Sequence, residues 1–420
     1  MYTEFMIARH LTPELLQALK DSPVVLLQGA RQSGKSTLAQ ALAGAGHPAR
    51  YFTLDDAAVA SAVARDPGGF LAGLTGPVII DEVQLAPELF RAIKLEVDRR
   101  RTPGRFLLTG SANVLLAPQL SESLAGRMEI LTLWPFSQGE LEGIREGFID
   151  AMYQPGSLPP ISPLAVTRVN LAARIVTGGY PEMAHRVEAA RRQAWFGSYL
   201  TTILQRDVRA MADIEGLTQM PRLLALLATQ TGGLLNIAEL SREVGLAQPT
   251  LKRYLTLLQA THLYQPLAAW SNSPRRRFIK REKVYLNDSG LAAYLRGMEA
   301  ERLAEASGDL GSLLEAFVGQ ELHKQIGWSQ TKPAMYYYRT AEGREVDYVL
   351  EDRRGMIVGV EVKSASSLRG EDMRGLADLA DATGKRFVRG MVLYLGHDVV
   401  PFGANLHAVP LDALWRLAMK

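Results

Sequence analysis

The chain has 420 residues, of which 47% are hydrophobic and 22% are charged, so two or three globular domains are expected. Its 47 Lys and Arg residues exceed the 44 Asp and Glu residues by three, a surplus too small to diagnose a nucleic-acid-binding protein. The lack of cysteine in the sequence excludes disulfides, thiolate catalysis, Cys-ligated zinc and iron–sulfur clusters.

The first twenty residues contain an early acid and no long apolar core, which predicts neither a signal peptide nor a membrane anchor. Elsewhere the sequence has no uninterrupted apolar run of membrane-spanning length. A cytoplasmic protein without a membrane partner is therefore expected. The seven histidines are scattered, so they predict no metal centre.

The first motif is GARQSGKST, which fits the phosphate-binding pattern G-x-x-x-x-G-K-[ST]. An apolar run precedes it and a helix-forming run follows it, which gives the order strand, loop, helix. Backbone N–H groups of such a loop converge on a phosphate, and the helix N-terminus adds a favourable dipole. Lys35 is expected to neutralise phosphate charge and Ser36 to ligate Mg²⁺. The predicted nucleotide-binding residues of this loop are Gly29, Ala30, Arg31, Gln32, Ser33, Gly34, Lys35, Ser36 and Thr37.

A second apolar strand, in GPVIIDEVQ, ends in two acids. Asp81 is expected to hold the Mg²⁺ shell, and Glu82 to orient and deprotonate the attacking water, so the pair predicts ATP hydrolysis. A third strand, in RFLLTGSANVL, ends in polar residues. Thr109, Ser111 and Asn113 are predicted to lie beside the γ-phosphate, but a plain turn explains that segment nearly as well.

The chain then changes character. Residues 151–164 are rich in Pro, Gly and Ser and indicate a linker. Residues 166–228 are predicted to be helical, with an amphipathic helix in WFGSYLTTILQRDVRAM. Within that helix, Arg206 and Asp207 are most simply interpreted as an intrahelical charge pair, with a functional role as the alternative.

A helix-turn-helix pattern follows in LLNIAELSREVGLAQPTLKRYL, with Gly245 at the turn. Downstream, SNSPRRRFIKREKVYL predicts a hairpin whose basic residues, including Lys283, lie along a DNA backbone. A protein-contact module with a solvated charged face is the alternative interpretation. The predicted DNA-binding residues are Lys252, Arg253, Arg275, Arg276, Arg277, Lys280 and Arg281.

The last third of the chain carries a second group of acids. A predicted helix holds Glu315, a strand holds Asp347, and the next strand holds Glu361 and Lys363. Because residues two apart on a strand share a face, Glu361 and Lys363 point the same way. The motif is loose, since any β-hairpin can hold these residue types by chance.

The order of GARQSGKST, LDD, IIDEVQ, LLTGSAN, LAGR and GGYPE resembles that of the bacterial and archaeal AAA-type ATPases with a C-terminal DUF4143 domain. The resemblance covers about Arg9 to Leu395. It implies an α/β fold with a RecA/AAA-type P-loop ATPase core, a helical lid with a winged helix, and an α/β restriction-endonuclease-like C-terminal domain. The expected segments are 1–150 for the core, 165–230 for the lid, 231–295 for the winged helix and 305–420 for the C-terminal domain.

The resemblance also implies roles for single residues. Arg127 falls where a charge-stabilising arginine would reach a nucleotide in cis or from a neighbouring subunit, with a salt bridge or surface position as the alternative. In the nuclease-like site, Asp347 and Glu361 would ligate one or two Mg²⁺ ions and Glu315 would complete the shell. Lys363 would position or activate the attacking water.

Three functions remain open at this point. The first is an ATP- and Mg²⁺-dependent DNA motor, expected to be a homo-oligomer such as a hexamer, that remodels branched or broken DNA with a nuclease-like C-terminal domain. The alternative is a nucleotide-switched regulatory ATPase whose winged helix contacts a protein or an operator and whose C-terminal domain is inactive. An ATP-gated nuclease of RNA or of a defence system shares every motif.

Overall fold

The computed structural model describes seven stretches of the chain, and it describes the backbone but not the side chain of Leu217 and Arg276. The stretches are 7–111, 124–156, 158, 166–209, 217–277, 280–305 and 309–418. Their residues form two compact units. The first takes described residues of Met1–Phe136, Thr202–Asp213 and Leu255–Leu263, and the second those of Ser137–Thr201, Ile214–Tyr254 and Tyr264–Lys420.

A five-stranded parallel sheet forms the centre of the first unit. In chain order its strands are β1 (Val24–Gln28), β2 (Arg50–Thr53), β3 (Val78–Asp81), β4 (Phe106–Gly110) and β5 (Met128–Thr132). Their order in space is β2-β3-β4-β1-β5. The helices are α1 (Thr12–Asp21), α2 (Lys35–Ala41), α3 (Ala57–Arg65), α4 (Pro67–Ala72) and α5 (Glu88–Arg99).

Helices cover both faces of this sheet, which explains why its central strands are continuous apolar runs. Successive side chains of a strand point to opposite faces. One face packs Val24, Leu26, Val78, Ile80, Phe106 and Leu108 with residues of α3, α4 and α5. The other face packs Val25, Leu27, Ile79 and Leu107 with residues of α1 and α2.

The carboxyl ends of the central strands lie side by side at the same end of the sheet. Gln28 pairs with Gly110, and Ile80 pairs with Leu108. From β1 the chain crosses to the far edge at β2 and returns through β3 and β4, while β5 lies on the other side of β1. Such a reversal of strand order opens a crevice at the carboxyl ends, so the loop after β1 faces the ends of β3 and β4.

The second unit contains many helices and two further sheets. The helices that begin in it are α6 (Gln138–Glu142), α7 (Phe148–Tyr153), α8 (Arg168–Thr177), α9 (Ala189–Thr202), α10 (Met220–Thr229), α11 (Ile237–Val244), α12 (Gln248–Ala260), α13 (Pro274–Arg277), α14 (Ser289–Leu295), α15 (Ala300–Ala304), α16 (Leu310–Ile326), α17 (Arg374–Thr383) and α18 (Ala413–Arg416). Within the described chain, none of the helices has both the length and the apolar character needed to cross a bilayer.

The predicted order of helix, turn and helix is confirmed by α11 and α12. The side chain of Asn236 caps α11 by accepting the N–H of Glu239 at 3.3 Å. After α11, Gly245 adopts φ +79°, a left-handed conformation that favours glycine. Leu251 and Leu258 of α12 are fully buried. Leu240 of α11 is fully buried as well, so each of the two helices packs one side against the interior.

A two-stranded antiparallel hairpin of β6 (Tyr264–Leu267) and β7 (Lys283–Leu286) follows. The predicted hairpin is present, but most of the basic residues do not lie on its strands. Most of its arginines and lysines lie in the long segment that connects the two strands, and that segment includes the short helix α13. Only Lys283 of the predicted basic residues lies on a strand.

A mixed six-stranded sheet forms the C-terminal part of the second unit. Its strands are β8 (Ala334–Arg339), β9 (Glu345–Glu351), β10 (Ile357–Val362), β11 (Phe387–Tyr394), β12 (Val400–Pro401) and β13 (Leu406–Pro410), in the spatial order β12-β13-β11-β10-β9-β8. The antiparallel pair of β9 and β10 confirms the predicted hairpin. Leu376 and Leu379 of α17 pack in the apolar core of this sheet.

Candidate functional sites

The loop between β1 and α2 and the first turn of α2 hold the predicted nucleotide-binding residues of the GARQSGKST motif. Gly29 is required because a Cβ there would lie 2.2 Å from the carbonyl oxygen of Leu133, and Gly34 adopts φ +93°. Arg9 donates to the carbonyl oxygen of Ser33 at 2.7 Å and so anchors the loop. The Ser33 hydroxyl is buried and forms no hydrogen bond within the described part of the chain, which suits a loop built to receive an anion.

Lys35 begins α2 and is 4% exposed. Its Nζ donates to the carbonyl oxygens of Gly29 at 3.0 Å and Ala30 at 2.8 Å. Burial lowers the pKa of Lys35 to about 8, against the opposing charges of Glu82 and Asp81. The ammonium form therefore predominates at neutral pH, at the base of the loop.

Asp81, the last residue of β3, is surrounded by hydroxyl groups. Its Oδ1 accepts hydrogen bonds from Ser36 at 3.1 Å and from Thr109, and its Oδ2 accepts one from Tyr51 at 2.6 Å. Burial, together with the Asp81 carboxylate, raises the pKa of the Tyr51 phenol, which keeps Tyr51 a neutral donor. The carboxylate of Asp81 and the hydroxyl of Ser36 fit a Mg²⁺ ion, because both are oxygen ligands that already lie together. Tyr51 was missed in the sequence, where no motif marks it.

Glu82 follows with a left-handed backbone, φ +58°, which is uncommon for a residue other than glycine and is often found at functional sites. Its N–H donates to the Thr109 hydroxyl at 3.2 Å, and its carboxylate accepts from the side-chain amide of Gln84. Gln84 also donates to the Ser111 hydroxyl at 3.0 Å. Gln84 thus connects two predicted site residues, a role that the sequence did not reveal. Asn113, which was also predicted to lie beside the γ-phosphate, is outside the residues that the structure describes.

Arg127 does not reach this site within its own chain. It directly precedes Met128, which pairs with Val24 at the start of β1. Arg127 therefore lies at the amino ends of the strands, whereas the loop lies at their carboxyl ends. Its guanidinium contacts Asp98 and donates to the carbonyl oxygen of Ala125 at 3.1 Å. The prediction that Arg127 reaches a nucleotide in its own chain is therefore wrong, because the length of β1 separates Arg127 from the phosphate-binding loop. A role toward a neighbouring subunit stays a prediction.

Two ion pairs join the nucleotide-binding region to the π-helical segment Ile203–Val208. Arg31 Nη1 lies 3.0 Å from Asp207 Oδ1, and Arg206 Nη2 lies 3.2 Å from Asp55 Oδ1. The predicted intrahelical pair of Arg206 and Asp207 is wrong, because adjacent residues of a helix do not face each other. Burial raises the pKa of Asp207, against the opposing charge of Arg31.

A second site lies at β9 and β10 of the second unit. The N–H of Asp347 donates to Glu361 Oε2 at 3.4 Å, and the N–H of Val362 donates to Asp347 Oδ2 at 2.9 Å. Lys363 Nζ lies 2.8 Å from Glu361 Oε1. Glu315 of α16 lies close enough that its charge acts on both acids. The four residues predicted to meet here do meet.

Lys283 of β7 joins this site, so its predicted place along a DNA backbone is wrong. It is 2% exposed, and its Nζ lies 2.8 Å from Glu315 Oε1 and 3.7 Å from Asp347 Oδ1. It also contacts Glu345. Burial lowers the pKa of Lys283, but the charges of Glu315, Asp347 and Glu345 outweigh burial and hold that pKa above its usual range. We call Glu315, Glu345, Asp347 and Glu361 the acidic cluster.

The acidic cluster does not fit the metal-ligand role predicted for Asp347 and Glu361. In the part of the chain that the structure describes, no group of three or more acidic or histidine side chains is arranged to hold a metal ion. Burial and the charges of Glu315 and Glu361 raise the pKa of Asp347 well above its usual range. A cation is already present, since the ammonium of Lys283 contacts both Glu315 and Asp347.

The residues predicted to contact DNA differ in exposure. Lys252 and Arg253 are exposed on α12, and Arg275, Lys280 and Arg281 are exposed between β6 and β7. We call these five residues the basic surface. The side chain of Arg276 lies outside the described part of the structure.

Arg277 does not belong to the basic surface. Its guanidinium donates to both carboxylate oxygens of Glu351, at 2.5 and 3.2 Å, and lies 4.9 Å from the ring centroid of Tyr336. Burial is outweighed by the hydrogen bond and charge of Glu351, so the pKa of Arg277 is raised. The prediction of DNA contact is therefore wrong for Arg277, whose guanidinium is held by a carboxylate of the same unit.

The parallel sheet, the glycine-bounded loop and the acids at the end of β3 define a P-loop ATPase. The family model described as an AAA domain matches residues 21–142, a range that includes β1 to β5 and the loop. The predicted ATPase class is confirmed, and the protein is a P-loop ATPase of the AAA type.

The chain belongs to the family of AAA-domain proteins that carry a C-terminal DUF4143 domain. That domain of unknown function matches residues 310–414, and a second domain of unknown function, DUF8612, matches residues 168–302. The uncharacterized proteins Rv2008c of Mycobacterium tuberculosis and Mb2031c of Mycobacterium bovis are both 31% identical to this chain over 408 residues. In each case the match covers 97% of this chain and 84% of the relative.

Two solved structures show weak similarity. The Walker-type ATPase PABY2304 of Pyrococcus abyssi is 16% identical, with a TM-score of 0.40, and the match covers 70% of this chain and 97% of that one. The RuvB Holliday junction branch migration motor of Thermotoga maritima is 18% identical, with a TM-score of 0.29 and coverage of 65% and 90%.

Proposed function

We propose that this ATPase uses Mg²⁺-dependent ATP hydrolysis to bind and remodel DNA. It would act as a homo-oligomeric motor, such as a hexamer, on branched or broken duplex DNA. The observation that carries the proposal is the basic surface: cationic side chains are exposed on the second helix of a helix-turn-helix and again within the hairpin that follows. A winged-helix module contacts a DNA backbone with these two elements. Phosphate contacts of this kind position a protein on DNA without reading its sequence.

Each residue of the nucleotide site has a task in this proposal. Bound Mg²⁺ would neutralise charge on the β- and γ-phosphates, and Ser36 and Asp81 would hold it. Lys35 would exchange its loop carbonyl partners for phosphate oxygens. Glu82 would orient the attacking water and accept its proton, while Gln84 keeps the Glu82 carboxylate in place.

The proposal is tested by steady-state ATP hydrolysis without DNA and with single strands, duplex, forks and four-way junctions at matched salt. We expect one class of DNA structure to raise the rate strongly, because a motor couples hydrolysis to its substrate. Equal rates across the panel would contradict the DNA motor.

Removing two arginines of the basic surface should reduce the salt dependence of DNA binding. For the double variant Arg275→Ser and Arg281→Ser, we expect the slope of log affinity against log salt to fall by about 1.8, because each lost phosphate contact removes about 0.9. The double variant Arg369→Ser and Arg374→Ser is the control, since it removes two exposed arginines elsewhere in the same unit. An unchanged slope in the first variant, or an equal fall in the control, would contradict the role of the basic surface.

A second candidate function is a nucleotide-switched regulator, in which ATP binding changes a contact surface and hydrolysis resets it. The observation that favours it is the ion pair of Arg31 with Asp207, since Arg31 belongs to the phosphate-binding loop and Asp207 to a π-helical segment directly after α9. Irregular segments of this type often mark functional positions in helices. An incoming triphosphate would compete with Asp207 for Arg31 and so release that segment.

Asp207→Asn should therefore raise the affinity for ATP by about twofold to fivefold, the range expected for loss of a partly exposed ion pair that competes with the ligand. A fluorescent ATP analogue measures the affinity directly. Glu182→Gln is the matched control, because it removes an exposed carboxylate that pairs with Arg186 far along the chain from the loop. Unchanged or weaker binding by Asp207→Asn would contradict the competition.

A further inference from the structure

We propose that Lys283 is the resident cation of the acidic cluster and takes the place of a divalent metal, so that the wild-type chain binds neither Mg²⁺ nor Mn²⁺ there. The inference concerns the C-terminal domain and does not depend on whether the ATPase acts on DNA. It differs from the metal-dependent nuclease site that the acids of the sequence predict.

The contacts of the ammonium support this role. Lys283 Nζ lies 2.8 Å from Glu315 and 3.7 Å from Asp347, and it also contacts Glu345. An ammonium has three hydrogens to donate and no acceptor; Glu315 and Glu345 lie within hydrogen-bond distance of it, and Asp347 lies at ion-pair distance. A divalent ion at the same position would need the same oxygens at about 2.0–2.6 Å, and it would be repelled by the ammonium.

The carboxylate oxygens are also engaged with other donors. Glu315 Oε1 accepts from the Tyr285 hydroxyl at 2.7 Å as well as from Lys283. Asp347 Oδ2 accepts a backbone N–H at 2.9 Å, and the two oxygens of Glu361 accept from Lys363 at 2.8 Å and from a backbone N–H at 3.4 Å. Metal binding would compete with these hydrogen bonds, because each one uses one of the lone pairs of a potential ligand.

The backbone around Lys283 makes it a permanent occupant. Lys283 pairs with Leu267 in the β6–β7 hairpin and forms a bridge with Leu234 on the other side. Its ammonium lies 5.6 Å from the ring centroid of Tyr337. The side chain is 2% exposed and its backbone is paired on both sides, so the strand holds the ammonium among the carboxylates.

Terbium luminescence tests the inference, because Tb³⁺ has ligand preferences similar to those of hard divalent ions and is sensitised by nearby tyrosine. Tyr285 and Tyr348, which both donate to Glu315, lie beside the acidic cluster. Every protein in the experiment carries Asp81→Asn, because Asp81 and Tyr51 would otherwise give a signal from the nucleotide site. Competition with Mn²⁺ then shows whether a bound Tb³⁺ ion occupies a divalent-metal site.

We expect no saturable emission from this parent protein and the appearance of saturable, Mn²⁺-displaced emission in Lys283→Met. Adding Asp347→Asn to Lys283→Met should weaken that new site by about 10- to 100-fold. Lys283→Arg keeps the charge and should behave like the parent. Lys363→Met is the matched control, because it removes the other lysine of the site and leaves Lys283 in place. The Lys363 side chain is 32% exposed. This variant should gain no Tb³⁺ site.

Saturable emission from the parent that is lost in Asp347→Asn would overturn the inference, and this result is decisive even if Lys283→Met fails to fold. A metal site gained by Lys363→Met but not by a folded Lys283→Met, as judged by circular dichroism, would also overturn it. As a functional readout, the wild-type chain should show no Mn²⁺-dependent nicking of DNA that is lost in Glu361→Ala. Nicking that Glu361→Ala abolishes would contradict a metal-free cluster.

Discussion

Replacing Lys35 with alanine should abolish ATP binding and, with it, ATP hydrolysis. Lys35 places its ammonium at the base of the loop, 4% exposed and bonded to the carbonyl oxygens of Gly29 and Ala30. Charge-assisted hydrogen bonds to phosphate are worth about 1.5–3 kcal/mol each, so the loss of Lys35 should weaken ATP binding by about 100-fold or more. Equilibrium titration with a fluorescent ATP analogue measures this directly.

Two controls separate the loss of phosphate binding from damage to the fold. Lys20→Ala removes an exposed lysine of α1 in the same unit and should bind ATP like the wild type. Lys35→Met keeps most of the buried volume and should lose ATP binding as Lys35→Ala does. Wild-type affinity in both Lys35 variants would mean that the loop does not hold the phosphates.

Glu82→Gln should separate ATP binding from ATP turnover. The substitution keeps the shape of the side chain and removes its ability to accept a proton from water. General-base catalysis typically contributes about 10²- to 10⁴-fold, so we expect hydrolysis to fall by that factor with ATP affinity within about twofold of wild type. Single-turnover hydrolysis and nucleotide titration on the same preparation measure both quantities.

The control for this variant is Glu88→Gln, an exposed acid at the start of α5, which should leave both quantities unchanged. Wild-type turnover in Glu82→Gln would assign the proton acceptor to another residue. A large loss of ATP affinity would instead indicate that the contact between Glu82 and Gln84 maintains the shape of the site.

Local sequence patterns predicted which residues lie together at each candidate site. The phosphate-binding loop depends on two glycines and a helix start within nine residues, and Asp81 and Glu82 follow an unbroken apolar strand. Parallel strands with aligned carboxyl ends then bring the acids to the loop. Within the second unit, the pairing of β9 with β10 brings Asp347 to Glu361. Lys363 lies on the same side as Glu361, because side chains two apart along an extended chain share a face.

The errors concern charged residues whose partners are distant in sequence. Arg277 pairs with Glu351, 74 residues away, and Asp207, expected to pair with Arg206, pairs with Arg31, 176 residues away. A charged side chain in a sequence carries no sign of whether it ends in solvent or beside an opposite charge. Arg127 shows the same limit, because only the strand register reveals that it lies at the amino ends of the strands, away from the phosphate-binding loop.

Lys283 shows most clearly what each level of description determines. In the sequence it is the last cation of a basic run, and the run alone determined that this segment is polar and strongly charged. The tertiary structure decided that Lys283 begins a buried strand and points at carboxylates supplied by α16 and β9. Local patterns follow from the covalent chain, whereas this contact exists only once separate elements pack, because burial makes an unpaired ammonium too costly and selects the partners that neutralise it.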